Sequence, residues 1–554
     1  MRTGSVSATR LIGALVVSTA VGWGATLAAP APAPQMSPQE RVDAAYKAMG
    51  GDKLGALKTI TLEGTVKQLD PGESFSLADN ETPDQGMGYF IQSRDLSKGL
   101  AYNQWMRPRA DTGGVRIYTE IVTPTAGYSI GNDATAGRLP KRTITGARGL
   151  PEHTFSGKRL TSTLRELARY TVIQDMKAHP DRVTALPNQV AGTRAFPSLQ
   201  YRTDYGNFIV IFNPVNNLPL RVRSLEWDAL EGDSEFDMSF QDWRDLGNGA
   251  MWPFQVQTLL NGMKVQETKY ANVQVNPTLP PSLFSIPADQ LAKAAKPADP
   301  KITPFQWIVR RGGSGFYFDA DASYVDDGDQ MKWQDIAPNV GLAMGNTHNT
   351  VFIATNTYLI AFEAPNDDGQ AKGAIALAKQ HFPGKPIKYL VLSHHHVDHV
   401  GGMRTFAAEG ATIVFGRGNA PNIQYYRRAI ANTQELNWNK PANPNDNPPL
   451  IEVKDGKWTV NDGGREFSVF EIDNPHSTGM LIGWLPDAKL AFVTDLWIPT
   501  PQGITTSNPN FASVVAGVEK AGIQPENFSG GHGTIGSYAQ FAGVVKAAQA
   551  AAKQ

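Results

Sequence analysis

The stretch that decides the fold is Ile387-Lys388-Tyr389-Leu390-Val391-Leu392-Ser393-His394-His395-His396-Val397-Asp398-His399-Val400-Gly401-Gly402. An apolar run with the character of a buried strand leads into four ligand-type side chains, His394, His396, Asp398 and His399, and the motif closes on two glycines. Side chains alternate in an extended segment, so His394 and His396 point the same way and can bind one cation. Asp398 and His399, as the chain turns into the next helix, can reach a second. His395 lies between the ligands and is expected to point away from them, in a structural or incidental role. The plain alternative is a solvated polyhistidine-like loop.

Around this motif, apolar strands at 351–354, 387–392, 411–415 and 490–493 alternate with helical stretches at 367–381, 511–521 and 538–553. That alternation predicts an α/β layer architecture for residues 302–554, with sheets covered by helices. Residues 288–301 turn to Ala, Lys, Asp and Pro and read as a linker. Upstream, residues 37–287 read as a β-rich antiparallel domain. Phe236, Met238 and Phe240 alternate with Asp237, Ser239 and Gln241, the period of a half-buried strand. Asn261-Gly262 between two apolar runs predicts a two-residue hairpin, and residues 213–217 separate another strand pair. One long helix is expected near 160–176. A short one opens at Ser37-Pro38-Gln39-Glu40, with an N-cap, a proline and a capping-box glutamate, and ends at Gly50-Gly51.

The first residues read as an export signal, 1–29. Arg2 and Arg10 are the only charges before a mostly apolar run, and an Ala/Pro stretch follows it. The run is weakly hydrophobic for a membrane span, so the mature protein is expected to be periplasmic or secreted, with no stable membrane anchor. Composition narrows the chemistry. With 41% hydrophobic and 19% charged residues, the 554-residue chain is a globular protein rather than a disordered one. Lys and Arg number 51 against 52 Asp and Glu, so no electrostatic pull toward nucleic acid is implied. There is no cysteine, which removes disulfides, thiolate metal sites, cysteine nucleophiles and iron–sulfur clusters. Any metal must be held by His, Asp or Glu.

The motif at 394–399 resembles that of the metallo-β-lactamase superfamily, and further stretches fit the same resemblance in order. Asn474-Pro475-His476-Ser477-Thr478-Gly479 fits the loop that gives the first metal its third histidine. Thr494-Asp495-Leu496 fits the strand end whose aspartate bridges both metals, although in some relatives that neighbourhood only supports the site and a water completes the metal. Gly530-Gly531-His532-Gly533 fits the last histidine of the second metal. Together the motifs cover nearly all of 302–554. The resemblance implies an αββα metallo-β-lactamase sandwich with the site at its edge. It groups His394, His396 and His476 around one cation and Asp398, His399 and His532 around another. His-rich, Asp-containing donors favour two zinc ions and admit iron or manganese.

Two divalent cations, two carboxylates and a bridging hydroxide leave a net charge of about +1. Such a centre generates hydroxide near neutral pH and polarises a carbonyl or phosphoryl oxygen. Asp398 is the natural catalytic partner, orienting the hydroxide and carrying a proton to the leaving group. The expected reaction is hydrolysis of an ester, lactone, thioester or lactam in a small-molecule substrate, with no nucleic acid as partner. The polar, aromatic stretch 416–449, with Tyr425, Arg427 and Trp438, fits a pocket wall or an ordinary insertion. His153, His179, His348 and His381 fall outside the motifs and are expected on the surface or in the core. Gly127-Tyr128-Ser129-Ile130-Gly131 spells a nucleophile elbow but lacks the helix that must follow, and Gly312-Gly313-Ser314-Gly315 lacks phosphate-cradle spacing. The N-terminal half also resembles outer-membrane lipoprotein carrier domains. It does so in its β pattern, in the aromatic run Phe236, Phe240 and Trp243, and in the ending Pro280-Pro281-Ser282-Leu283-Phe284. That resemblance implies a half-barrel-like fold with an apolar hollow for a hydrophobic ligand. The alternative is a scaffold that shields the metal domain or mediates formation of a homodimer.

Overall fold

The computed structural model describes residues 36–69, 73–77, 83–108, 114–133, 151–228, 232–297, 331–345, 348–366, 368–417 and 449–553. The export signal, Gly312-Gly313-Ser314-Gly315 and the aromatic stretch with Tyr425, Arg427 and Trp438 lie outside these residues, as does the end of the 288–301 linker. Among the described residues no helix is long and apolar enough to cross a membrane, which says nothing of a β-barrel.

The N-terminal half is one thirteen-stranded antiparallel sheet. Its first strand, Thr59–Leu69, pairs in the middle with its last, Met263–Val275. From this pair the chain meanders outward to two edges, Glu152–Thr154 and Val183–Ala191, so the sheet is open. The register slips between Glu63 and Gly64, and a Cβ on Gly64 would lie 2.1 Å from the Lys269 carbonyl oxygen, which is why glycine occupies the bulge. Asn261 and Gly262 turn the hairpin between Met251–Leu260 and Met263–Val275 with φ of 48° and 84°, a pair that Asn-Gly tolerates. Helix Pro38–Ala48 begins with the reciprocal Ser37–Glu40 cap. The helix expected near 160–176 is two, Gly157–Tyr170 and Val172–Ala178. The break is at Thr171, where φ is −103°, and whose hydroxyl donates to Asp175 at 3.0 Å. The nucleophile-elbow mimic is part of strand Ala126–Gly131, and Ser129 donates to Asp133.

The C-terminal half stacks four layers. Strands Asn349–Ala354 and Leu359–Phe362 put Val351, Ile353, Ile360 and Phe362 on one face and Phe352, Ala354, Leu359 and Ala361 on the other, as the two-residue period requires. The first set meets Phe467, Val469, Leu481 and Phe492 of a second sheet. The second set is covered by helices Asp368–His381 and Met403–Ala408. The far face of the second sheet, with Ile482, Ala491 and Val493, packs on helices Pro509–Ala521 and Tyr538–Ala551. This is the αββα sandwich. Leu359–Phe362, Ile387–Val391, Thr412–Phe415 and Leu450–Glu452 run parallel in the seven-stranded sheet, and Leu490–Val493 and Asn527–Gly530 run parallel in the six-stranded one. The segments that follow Ile387–Val391, Leu490–Val493 and Asn527–Gly530 carry most of the ligand-type side chains, because parallel strands deliver their carboxyl ends to one edge.

Candidate metal centre

Ile387–Val391 ends in Ser393, and the one-turn helix Val397–Val400 starts after His396. His394, His396, Asp398 and His399 are all buried. His476 sits in a turn that Asn474 holds: its Oδ1 accepts from the backbone N–H of His476 at 2.8 Å and of Ser477 at 2.9 Å. Asp495 follows strand Leu490–Val493 at a φ of 58°, inside a tight turn closed by Leu496 N–H on the Thr494 carbonyl. His532 follows Gly530, where any Cβ would lie 1.8 Å from the Val493 carbonyl oxygen. Asn349 fixes that loop, donating from Nδ2 to the Gly533 carbonyl at 2.9 Å and from its backbone to Gly531.

Two groups result. Potential ligand atoms of His394, His396, His476 and Asp495 lie within 4.8 Å of one another, and so do those of His348, His399 and His532. Asp495 links them. Its Oδ2 is 3.2 Å from His394 Nε2, 3.0 Å from His476 Nε2 and 3.1 Å from His399 Nε2, and its Oδ1 is 2.8 Å from His532 Nε2. Asp398 Oδ2 lies 3.1 Å from His348 Nε2 and 3.6 Å from His399 Nε2.

Two of these participants were not singled out from the sequence. His348 precedes strand Asn349–Ala354, which runs antiparallel to its parallel neighbour and so starts at the edge where the others end. Glu363, fully buried directly after an apolar strand, is the other. Its Oε2 accepts from His399 Nδ1 at 2.7 Å and its Oε1 from the Ser393 N–H at 2.8 Å. A carboxylate placed directly after a buried strand was the available signal. His395 does turn away from both groups, into a buried niche between Ser74 Oγ (3.3 Å) and Ser477 Oγ (3.2 Å). His153 is a core residue bound to Asp133, His381 stacks on Trp333, and His179 is exposed.

Electrostatics follow burial. Desolvation, with the neighbouring histidines adding to it, pushes His348 down to about 3, His394 to about 4 and His396 well below its usual value. His399 goes the other way: burial opposes its charge, but the Asp495 and Asp398 carboxylates hold it well above the ordinary range. Burial likewise works against Asp398 and Asp495, yet the charge on His399 keeps both well below the usual carboxylate range.

The residues fit metal ions by an independent sign. His396 Nδ1, Asp398 Oδ1 and His399 Nε2 are buried without a hydrogen bond. Buried polar atoms ordinarily find a partner, and ligand-type atoms left without one fit a cation. Glu363 accepts the Nδ1 proton of His399, which leaves Nε2 as the donor atom of the neutral ring.

Residues 345–533 match the family model described as the metallo-beta-lactamase superfamily. No curated protein matches the chain. Among solved structures, it is similar to a metallo-beta-lactamase from Pontibacter korlensis, at 14% identity over 40% of this chain and 99% of that one, with a TM-score of 0.29. The FIM-1 metallo-beta-lactamase from Pseudomonas aeruginosa in its mono-zinc form matches at 18% identity over 40% and 97%, TM-score 0.29. The stereoselective inverting sec-alkylsulfatase Pisa1 from Pseudomonas sp. matches at 16% over 43% of this chain and 42% of that one, TM-score 0.28. The family match and the clustered donors together identify residues 345–533 as a metallo-beta-lactamase superfamily domain, that of a metal-dependent hydrolase.

Proposed function

We propose that the chain is a two-metal hydrolase of carbonyl substrates: esters, lactones, thioesters or lactams. His394, His396 and His476 hold one cation, Asp398, His399 and His532 hold the other, and Asp495 stands between them. The observation that carries this reading is Asp495, whose two oxygens contact imidazoles of both groups. His348 is a further donor to the second cation. Zinc suits so imidazole-rich a set. The same reading takes residues 1–29 as an export signal and the place of action as the periplasm or the medium.

A pair of divalent cations supplies hydroxide near neutral pH and polarises a carbonyl oxygen. The protein supplies the rest. Asp398 is ionised, its Oδ2 is held by His348, and its Oδ1 has no hydrogen-bond partner, so it is available to a cation or to a proton in transit. His394, His396 and His399 form a buried floor, while the side chains of His476, Asp495 and His532 keep 25%, 16% and 15% of their surface exposed and form the side that substrate can reach. Asp398→Ala should lower kcat/KM by about 10²–10⁴-fold in zinc-saturated protein. The assay is a panel of aryl esters, lactones, thioesters and nitrocefin. Full activity in the variant would contradict the role.

Protonation gives a second test. The raised pKa of His399 means that its proton is bound at neutral pH in the metal-free chain, and a cation must displace it. Zinc binding at pH 7 should therefore release protons, and apparent affinity should rise with pH. Titration in weak buffer with a pH indicator measures both, and proton-neutral binding would contradict the assignment of His399.

A second reading, of the N-terminal half as a binder of apolar molecules, has its own observation. Met87, Tyr89 and Ile91 alternate on one face of Asp84–Asp95, Met106 stands opposite Tyr89, and Ile117 stands opposite Met106; all five are exposed. Contiguous exposed apolar side chains mark binding surfaces. Ile117→Lys together with Met106→Lys should at least halve the binding of a fluorescent fatty acid to the full chain while leaving its metal content unchanged, and equal binding would remove this reading.

A further inference from the structure

Residues 73–77, between the first two strands of the N-terminal sheet, lie against the candidate metal centre. The Ser74 carbonyl accepts a hydrogen bond from His396 Nε2 at 2.9 Å, and the Phe75 carbonyl accepts one from the Thr478 N–H at 2.8 Å, two residues past His476. Glu73 Oε2 lies 3.5 Å from His396 Nδ1. Leu77 packs against the apolar layer beneath helices Asp368–His381 and Met403–Ala408. His395 is gripped between this segment and the His476 loop, with one ring nitrogen at Ser74 Oγ and the other at Ser477 Oγ.

A carbonyl oxygen can only accept, so His396 Nε2 must carry the proton. The neutral ring then has its lone pair on Nδ1, the atom that is buried without a hydrogen bond. His394 and His399 are oriented from within the sandwich, by Ser393 Oγ at 2.8 Å and by Glu363. The partner of the His396 ring proton comes instead from the N-terminal half. Groups that fix the tautomer and angle of a ligating histidine typically change metal affinity by about 10–100-fold.

We propose that residues 73–77 form a positioning strap for the first metal group: the Ser74 carbonyl selects the ligating tautomer of His396, and His395 is the latch that seats the strap. The N-terminal half is thus a working part of the metal centre. This inference rests on His396 being a ligand, as proposed above.

The test is zinc binding to the full chain by competition with a chromophoric chelator, resolving the two equivalents. Replacing residues 73–77 by Gly-Ser-Gly-Ser-Gly should weaken one equivalent by about 10–100-fold and leave the other within about threefold. His395→Phe, which keeps a planar aromatic ring but loses both serine contacts, should weaken the same equivalent in the same direction. It decides the matter if the strap replacement does not fold, as judged by circular dichroism of the metal-free protein. Unchanged affinity in a folded variant, or equal loss of both equivalents, would overturn the strap while leaving the two-metal reading intact. Failure of the wild-type chain to bind zinc at all would instead overturn that reading, and the strap with it.

Discussion

Buried imidazole and carboxylate groups cannot be crowded together without something to compensate them. Removing a polar atom from water costs free energy unless it gains a partner, and a buried charge costs more. Here Asp495 touches imidazoles of both groups, and His396 Nδ1, Asp398 Oδ1 and His399 Nε2 stay buried with no hydrogen bond. Cations would resolve that conflict, because neutral imidazoles and carboxylates of this kind serve as metal ligands and a protonated ring can give up its proton to one. The depressed histidine pKa values act in the same direction, keeping His348, His394 and His396 in the neutral form that binds metal.

The sandwich can maintain this crowding because its edges are stiff. Glu363, Ser393, Asp495 and His532 follow strands that are largely buried, and His348 precedes a fully buried one. The left-handed backbone at Glu363 and Asp495, with φ of 77° and 58°, is tolerated only where surrounding structure over-determines it. Hydrogen bonds from Asn349, Asn474 and Glu363 then set the angles of the loops, so that side chains distant in sequence meet within hydrogen-bonding distance.

Local sequence carries much of this. A buried strand followed by closely spaced ligands reads directly, since alternation and helix onset fix where those side chains point. Hairpins read just as directly where Asn-Gly demands positive φ, as at Asn261 and Gly262. What sequence hid was set by tertiary register. His348 carries no local motif and reaches the second group only because its strand begins at the edge where parallel neighbours end. Glu363 carries no local motif either. The break at Thr171 has no glycine or proline to mark it, and residues 73–77 reach His396 across more than three hundred residues of chain.

Anomalous diffraction at the zinc edge, from crystals of zinc-loaded protein, tests the central claim most directly. Two peaks are expected in each chain, one amid His394, His396 and His476 and one amid His399 and His532, with Asp495 between them. A fully active preparation whose crystals show no peak among these residues would contradict it.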